Sequence, residues 1–172
     1  MDQQEQKLRE LVSAYQAELL RFCYVRLQDR MQAEDAVQET FLKVYHALPG
    51  YRDDGHEKAW VYRIALNVCR DMLRSGWFRR INRHITPELL PDESSPPADE
   101  EISLSMAIHR LPDKSREVIL LYYYQNFNVN EIAGILGIRQ PSVSERLKRA
   151  RRQLMDMLKG EMLDEEADSS GN

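Results

Sequence analysis

The sequence is poor in the residues on which most enzymatic and extracellular proteins depend. It holds two cysteines in 172 residues, Cys23 and Cys69, far apart and each among apolar neighbours. That excludes a disulfide framework or a paired-cysteine metal or redox motif, and two buried, reduced thiols are expected. The four histidines, His46, His56, His84 and His109, are scattered, with no HxxxH pair and no carboxylate at ligand spacing, so no metal is expected. Seven glycines leave little material for a phosphate-cradling loop, and the P-loop, dinucleotide-binding and nucleophile-elbow patterns are absent. The chain therefore reads as a non-enzyme with no cofactor, no catalytic residue and no small-molecule substrate. No run approaches the roughly 20 apolar residues of a membrane span. Met1 to Gln6 lacks the basic-then-apolar layout of a signal peptide, which points to the cytoplasm.

Net positive charge is also missing: 24 Lys and Arg face 28 Asp and Glu, a formal charge of −4. The total conceals blocks. Residues 51–86 carry eight bases (Arg52, Lys58, Arg63, Arg70, Arg74, Arg79, Arg80, Arg83) against four acids, a local +4. Residues 139–152 carry Arg139, Arg146, Lys148, Arg149, Arg151 and Arg152 against Glu145 alone, a local +5. Between the blocks, residues 87–102 hold six acids and no base, interspersed with Pro87, Pro91, Ser94, Ser95, Pro96 and Pro97. Such a segment buries too little apolar surface to order itself and reads as a flexible linker. The stretch after Gly160 is acidic and reads as a frayed tail. The expected domains are 1–84 and 103–160, joined by the linker 85–102 and followed by the tail 161–172.

The apolar periodicity is helical. Leu8, Leu11, Val12, Tyr15, Leu19 and Phe22 recur at steps of three and four, as do Ala33, Val37, Phe41, Val44 and Leu48, and then Trp60, Ile64, Val68 and Met72. Leu104 to Leu111 predicts a helix ended by Pro112, Asp113 a cap for the next, and Asn130 to Leu136 a third. No stretch alternates with period two. The fold expected is all-α: two small helical domains on a flexible linker, the second a helix-turn-helix domain.

Within that second domain, Gly137 suits a tight left-handed turn, and a new helix starts near Gln140 and Pro141. On this helix Val143, Leu147, Ala150 and Leu154 make one apolar stripe, with Ser144, Glu145, Lys148, Arg149, Arg151 and Arg152 away from its centre. One face can pack while the other enters a major groove. In the middle block, Arg63, Asn67, Arg70 and Arg74 share a helix face, interleaved in sequence with Tyr51, Tyr62, Trp77 and Phe78. Arginines beside aromatics suit single-stranded nucleic acid, where an extruded base stacks on a ring; core aromatics beneath solvated arginines would give the same pattern. On the helix from Ala33 to Leu48, the face holding Asp35, Gln38, Glu39, Leu42 and Lys43 is left outside, which suits a docking surface for a protein partner; an isolated exposed leucine on a solvated face would give the same pattern.

Three motifs in order carry a family resemblance. The stretch Ala33 to Tyr45 (AEDAVQETFLKVY) resembles the core-binding signature of bacterial sigma factors. Lys58 to Asp71 (KAWVYRIALNVCRD) is similar to their promoter-melting and minus-ten helix, and Leu111 to Leu121 (LPDKSREVILL) with the helix-turn-helix resembles their minus-thirty-five domain. With these two domains alone the chain resembles an extracytoplasmic function (ECF) sigma factor across residues 8–158.

The resemblance implies that Asp35, Gln38, Glu39 and Leu42 dock on a coiled coil of the beta-prime subunit of core RNA polymerase, the enzyme's beta subunit being a further partner. It implies that the loop Tyr51 to Glu57, with Tyr51, Arg52, Asp53 and Trp60, captures a flipped minus-ten base. Arg63, Asn67, Arg70 and Arg74 would hold the adjacent strand and duplex edge. Gln140, Ser142, Ser144, Glu145, Lys148 and Arg149 would face the minus-thirty-five groove of promoter DNA, with Arg146 near phosphate. Glu145 departs from the usual small polar residue and can accept from a cytosine amine. An anti-sigma factor, itself able to anchor in the membrane, would clamp both domains. The rival reading is a stand-alone helix-turn-helix repressor or activator.

Overall fold

The computed structural model describes residues 2–75 and 99–169, and within them the regular structure is entirely helical. Trp77, Phe78, Arg79, Arg80 and Arg83, and the linker up to Ala98, lie outside the described residues. By proximity the chain divides into two compact units, one holding Gln3–Leu27, Arg30–Ala47, Glu57–Arg74 and Asn130–Gly137, the other Asp99–Arg110, Asp113–Ile119 and the helix from Gln140.

Helix α1 spans Gln3–Leu27, α2 Arg30–Ala47 and α3 Glu57–Arg74, and the three pack on one another. Their boundaries are written locally. Asp2 caps α1, its carboxylate accepting from the Gln4 amide at 3.4 Å, and Asp29 caps α2 by accepting from Gln32 at 3.0 Å. Between them Gln28 takes the left-handed conformation (φ 59°), and its amide closes α1 on the Tyr24 carbonyl at 2.7 Å. Leu11, Leu19, Phe22, Leu27, Val37, Val44, Val61, Tyr62 and Leu66 are buried between the helices. Each large side chain so buried contributes about 1.5–3 kcal/mol.

Two sequence expectations shift here. The buried stripe of α3 is Val61, Tyr62, Ala65, Leu66, Val68 and Cys69, centred one residue past the expected one, so Trp60, Ile64 and Met72 are half-buried at its margins. Tyr62 is a core residue, its ring edge-on to Phe22 at 5.3 Å, and is not available to a base. Cys23 and Cys69, 46 residues apart, meet in this core as free thiols with sulfurs 3.6 Å apart.

In the other unit, α4 (Asp99–Arg110) and α5 (Asp113–Ile119) pack on α7 (Gln140–Ser169). Helix α4 begins inside the expected linker, at Asp99. Pro112, not Asp113, occupies the cap position of α5, with no side-chain cap bond; Asp113 instead accepts from Arg116. Helix α5 widens into a π-type turn, Leu120–Tyr124, closed by the Gln125 amide on the Leu120 carbonyl at 3.0 Å. Helix α6 (Val129–Leu136), grouped by proximity with the first unit, buries Ile132, Ile135 and Leu136. Helix α7 continues through 161–169, where a frayed tail was expected. Its Glu, Met, Leu and Ala residues are good helix formers, and a single Gly160 costs only about 1 kcal/mol.

Candidate nucleic-acid interface

The outer face of α2 follows from its spacing. Ala33, Ala36, Val37, Thr40, Phe41 and Val44 are buried, and the Thr40 hydroxyl satisfies itself on the Ala36 carbonyl at 2.7 Å. Asp35, Gln38, Glu39, Leu42 and Lys43 are thereby turned outward, as expected. Leu42 is 57% exposed and Met31, on the first turn, 75%, two outward apolar side chains on a helix that also carries outward acids.

Beyond α2, the chain makes a short 3-10 turn at Leu48–Gly50 and the loop Tyr51–His56. The loop is shaped by its own acids. Asp53 accepts from the Gly55 amide at 3.1 Å and the Tyr51 hydroxyl at 3.5 Å, and Asp54 from the His56 amide at 3.2 Å. These side-chain turns need Gly55 at φ +87°, which a glycine adopts without strain. Tyr51 stacks on Trp60 with ring centroids 4.1 Å apart and planes 22° from parallel. Burial, with Asp53 and then Glu57 and Asp54 nearby, pushes the Tyr51 phenol up to about 12, so it remains a donor at neutral pH.

The far end of the loop is fastened to α1. Lys7 Nζ lies 2.6 Å from Glu57 Oε2, the Tyr15 hydroxyl donates to Glu57 Oε1 at 3.4 Å, and Lys58 Nζ lies 3.5 Å from Glu18 Oε2. From there α3 presents Arg63, Asn67 and Arg74, exposed, and Arg70, half-buried, along one face. Arg74 pairs with Asp71 at 3.8 Å where both are well exposed, an interaction of little energetic weight. The expected minus-ten set is thus brought together: an aromatic stack at one end, Arg52 and Asp53 exposed on the loop, and a basic row along the helix. Lys7 and Glu57 were not singled out as a pair by the sequence; fifty residues apart, they leave no local signal.

Farther along the chain, Gly137 takes φ +67° between α6 and α7. The Arg139 carbonyl then accepts from the Ser142 amide at 3.0 Å and the Val143 amide at 3.3 Å, starting the helix. Val143, Leu147 and Ala150 are buried, which turns Gln140, Ser142, Ser144, Glu145, Lys148 and Arg149 outward and leaves Arg146 half-buried. Arg151 belongs to a different group: its Nε donates to the Tyr123 hydroxyl at 2.6 Å, and its guanidinium sits 5.6 Å from the Tyr122 and Tyr123 ring centroids. It braces the π-type turn.

Arg116 organises the base of this unit. Only 7% exposed, it donates to the carbonyls of Ile108 at 3.2 Å, Leu111 at 2.9 Å and His109, and to Asp113 at 3.3 Å. One guanidinium fork closes the end of α4 and fixes the start of α5. Ser115 adds a hydrogen bond to Gln153 of α7 at 2.7 Å. Among the described residues no cluster of His, Cys, Asp and Glu could hold a metal ion, and no helix is long and apolar enough to cross a membrane.

Comparison with known proteins gives two family matches, Sigma-70 region 2 over residues 11–79 and Sigma-70, region 4 over residues 101–154. The chain is 30% identical to the ECF RNA polymerase sigma factor SigM of Bacillus subtilis over 149 residues, covering 84% of this chain and 91% of that protein. It is 28% identical to the probable RNA polymerase sigma factor RfaY of Xanthomonas campestris, but covers 39% of that longer protein's length. Among solved structures, it is similar to CnrH, solved in complex with the cytosolic domain of CnrY, with 26% identity, 91% and 90% of the two chains covered and a TM-score of 0.69.

Proposed function

The chain belongs to the sigma factors of bacterial RNA polymerase, of the extracytoplasmic function type, and from that premise we propose how two domains divide the work of initiation. Residues 1–84 form the domain that binds core polymerase and melts the minus-ten element, and residues 103–160 the domain that reads the minus-thirty-five element. The outward face of α2, with Asp35, Gln38, Glu39 and Leu42, docks on the beta-prime subunit.

One observation carries the minus-ten assignment: the stacked Tyr51 and Trp60 stand at the head of the row Arg63, Asn67, Arg70 and Arg74. An extruded base needs a shaped, partly apolar pocket, and the strand beside it needs cations at phosphate spacing. The acids of the loop are occupied in making its turns, so they give the pocket its shape without filling it. Flipping a base costs a few kcal/mol, which pocket and strand contacts offset. On α7, Gln140, Ser142, Ser144, Glu145, Lys148 and Arg149 face the major groove, with Arg146 at phosphate. Tethering through the intervening segment raises the effective concentration of each weak contact once polymerase holds the other. The acidic total keeps the free protein off DNA. It acts in the cytoplasm without catalysing a reaction itself. An anti-sigma factor, soluble or membrane-anchored, is its inhibitor; CnrH, to which the chain is similar, is itself solved in complex with the cytosolic domain of another protein, CnrY.

Run-off transcription with sigma-free core polymerase tests this. Initiation that depends on the added protein supports the proposal; tight duplex binding without polymerase and without initiation would overturn it in favour of the stand-alone repressor or activator, which has no support in the comparisons.

A further inference from the structure

The fastening between α1 and the loop is poorly explained as a stabilising device. Lys7 and Glu57 have side chains 35% and 24% exposed, and ion pairs so placed add little to folding. The two helices are already joined by buried Leu11, Leu19 and Phe22 on one side and Tyr62 and Leu66 on the other. What the pair does fix is a direction. Glu57 is the first residue of α3, where the loop gives way to helix. There the helix terminus favours its negative charge, and Lys7 and Tyr15 engage its two oxygens separately. Hydrogen bonding to Glu57 holds the Lys7 ammonium above its ordinary range, and burial with the same neighbour holds Tyr15 protonated, so both remain donors at neutral pH.

The opposite end of the loop is tied by the stack of Tyr51 on Trp60. Lys7, Gln4, Tyr51 and Asp53 also line one open concavity of about 580 Å³. Lys7 precedes residues 11–79, the stretch that matches the family, so this contact is contributed by a part of the chain outside the match.

We propose that Lys7 and Glu57 are positioning residues for base capture: their ion pair, backed by Tyr15, holds the end of loop 51–56 so that it presents a fixed wall to the extruded minus-ten base. This rests on the minus-ten reading given above. The consequence is selective. A loosened loop still lets the basic row of α3 hold the strand, but it discriminates less well between bases at the one position it encloses.

The experiment uses the full chain with sigma-free core polymerase and a pool of duplex fragments randomised upstream of a fixed start site, sequencing the fragments transcribed. Wild type is expected to enrich two upstream elements. Lys7→Gln should lower the base preference at one minus-ten position about fivefold, the most a half-exposed ion pair sustains, and leave the other positions alone. Lys7→Arg should restore the preference, Glu57→Gln should match Lys7→Gln, and the double variant should be no worse than either. Preference unchanged in Lys7→Gln, lowered equally at every position, or lost multiplicatively in the double variant overturns the positioning role. If the wild type enriches no upstream element, the sigma assignment itself fails and takes the inference with it. Thermal unfolding of each variant identifies any loss of fold, and Lys7→Gln, on the first turns of α1, carries the result if Glu57→Gln unfolds.

Discussion

Replacing Arg116 with leucine tests whether one side chain holds the second unit together. Leucine keeps much of the volume and removes the donors, so a cavity effect is kept small while the carbonyls of Ile108 and Leu111 lose charge-assisted partners in a buried setting. Each orphaned buried acceptor costs about 1–3 kcal/mol, and relief from burying a guanidinium returns part of that, for a net loss of about 3 kcal/mol. Against the 5–15 kcal/mol typical of a domain this is a large fraction. Hydrogen exchange read by mass spectrometry on α4 and α5 should accelerate about a hundredfold. Unfolding followed by tryptophan fluorescence in a Trp77→Phe background should hold its midpoint, because Trp60 then reports on α1 to α3. Asp113→Asn removes only the partner whose side chain is 62% exposed and should change little. A loss below about 1 kcal/mol for Arg116→Leu, or equal effects of Leu and Asn, would refute the idea that the buried fork is what matters.

Leu42→Asp should abolish capture of this protein by core polymerase in a pull-down while circular dichroism is unchanged, since Leu42 is well exposed and lies outside the buried stripe of α2. Burial, with Arg116 nearby, holds the His109 imidazole below its ordinary value of 6.5; the unfolded chain then binds a proton more readily than the folded one. Stability of the second unit should therefore fall as pH drops through 6.5, a slope that His109→Gln flattens in urea titrations at several pH values. Asp29→Ala removes the cap of α2 and should cost about 1 kcal/mol in thermal unfolding. Arg149→Ala should relax base preference at a single minus-thirty-five position by about 1–3 kcal/mol, read by competition between promoter variants on holoenzyme.

Much of this site was legible because it is built from short-range periodicity. The outward set on α2 and the row Arg63, Asn67, Arg70 and Arg74 both follow from 3.6 residues per turn once the apolar stripe is found. The Gly137 turn was equally local, since only the residue at that position has to tolerate φ +67°. Tyr62 shows the limit: an aromatic between arginines has the same spacing whether it meets a base or Phe22, and only the neighbouring helix decides. The expected stripe of α3 was off by one residue for a related reason. Trp60 is large and apolar, which suits a core position, yet it is only half-buried and its ring stacks on Tyr51 of the loop. The tail after Gly160 misled in the other direction, acidic composition being taken for disorder where helix propensity prevails.

By itself, the sequence determined the all-helical class, the order of motifs that identifies the family, and the separation of a −4 chain into two basic blocks, because each depends on residues within a turn or two of one another. Tertiary structure alone decided which long-range partners meet: Lys7 with Glu57, Arg116 with the end of α4, Arg151 with Tyr123, and Cys23 with Cys69. Those pairings join residues up to fifty positions apart, and helix periodicity says which face a residue occupies but not which other helix that face will find.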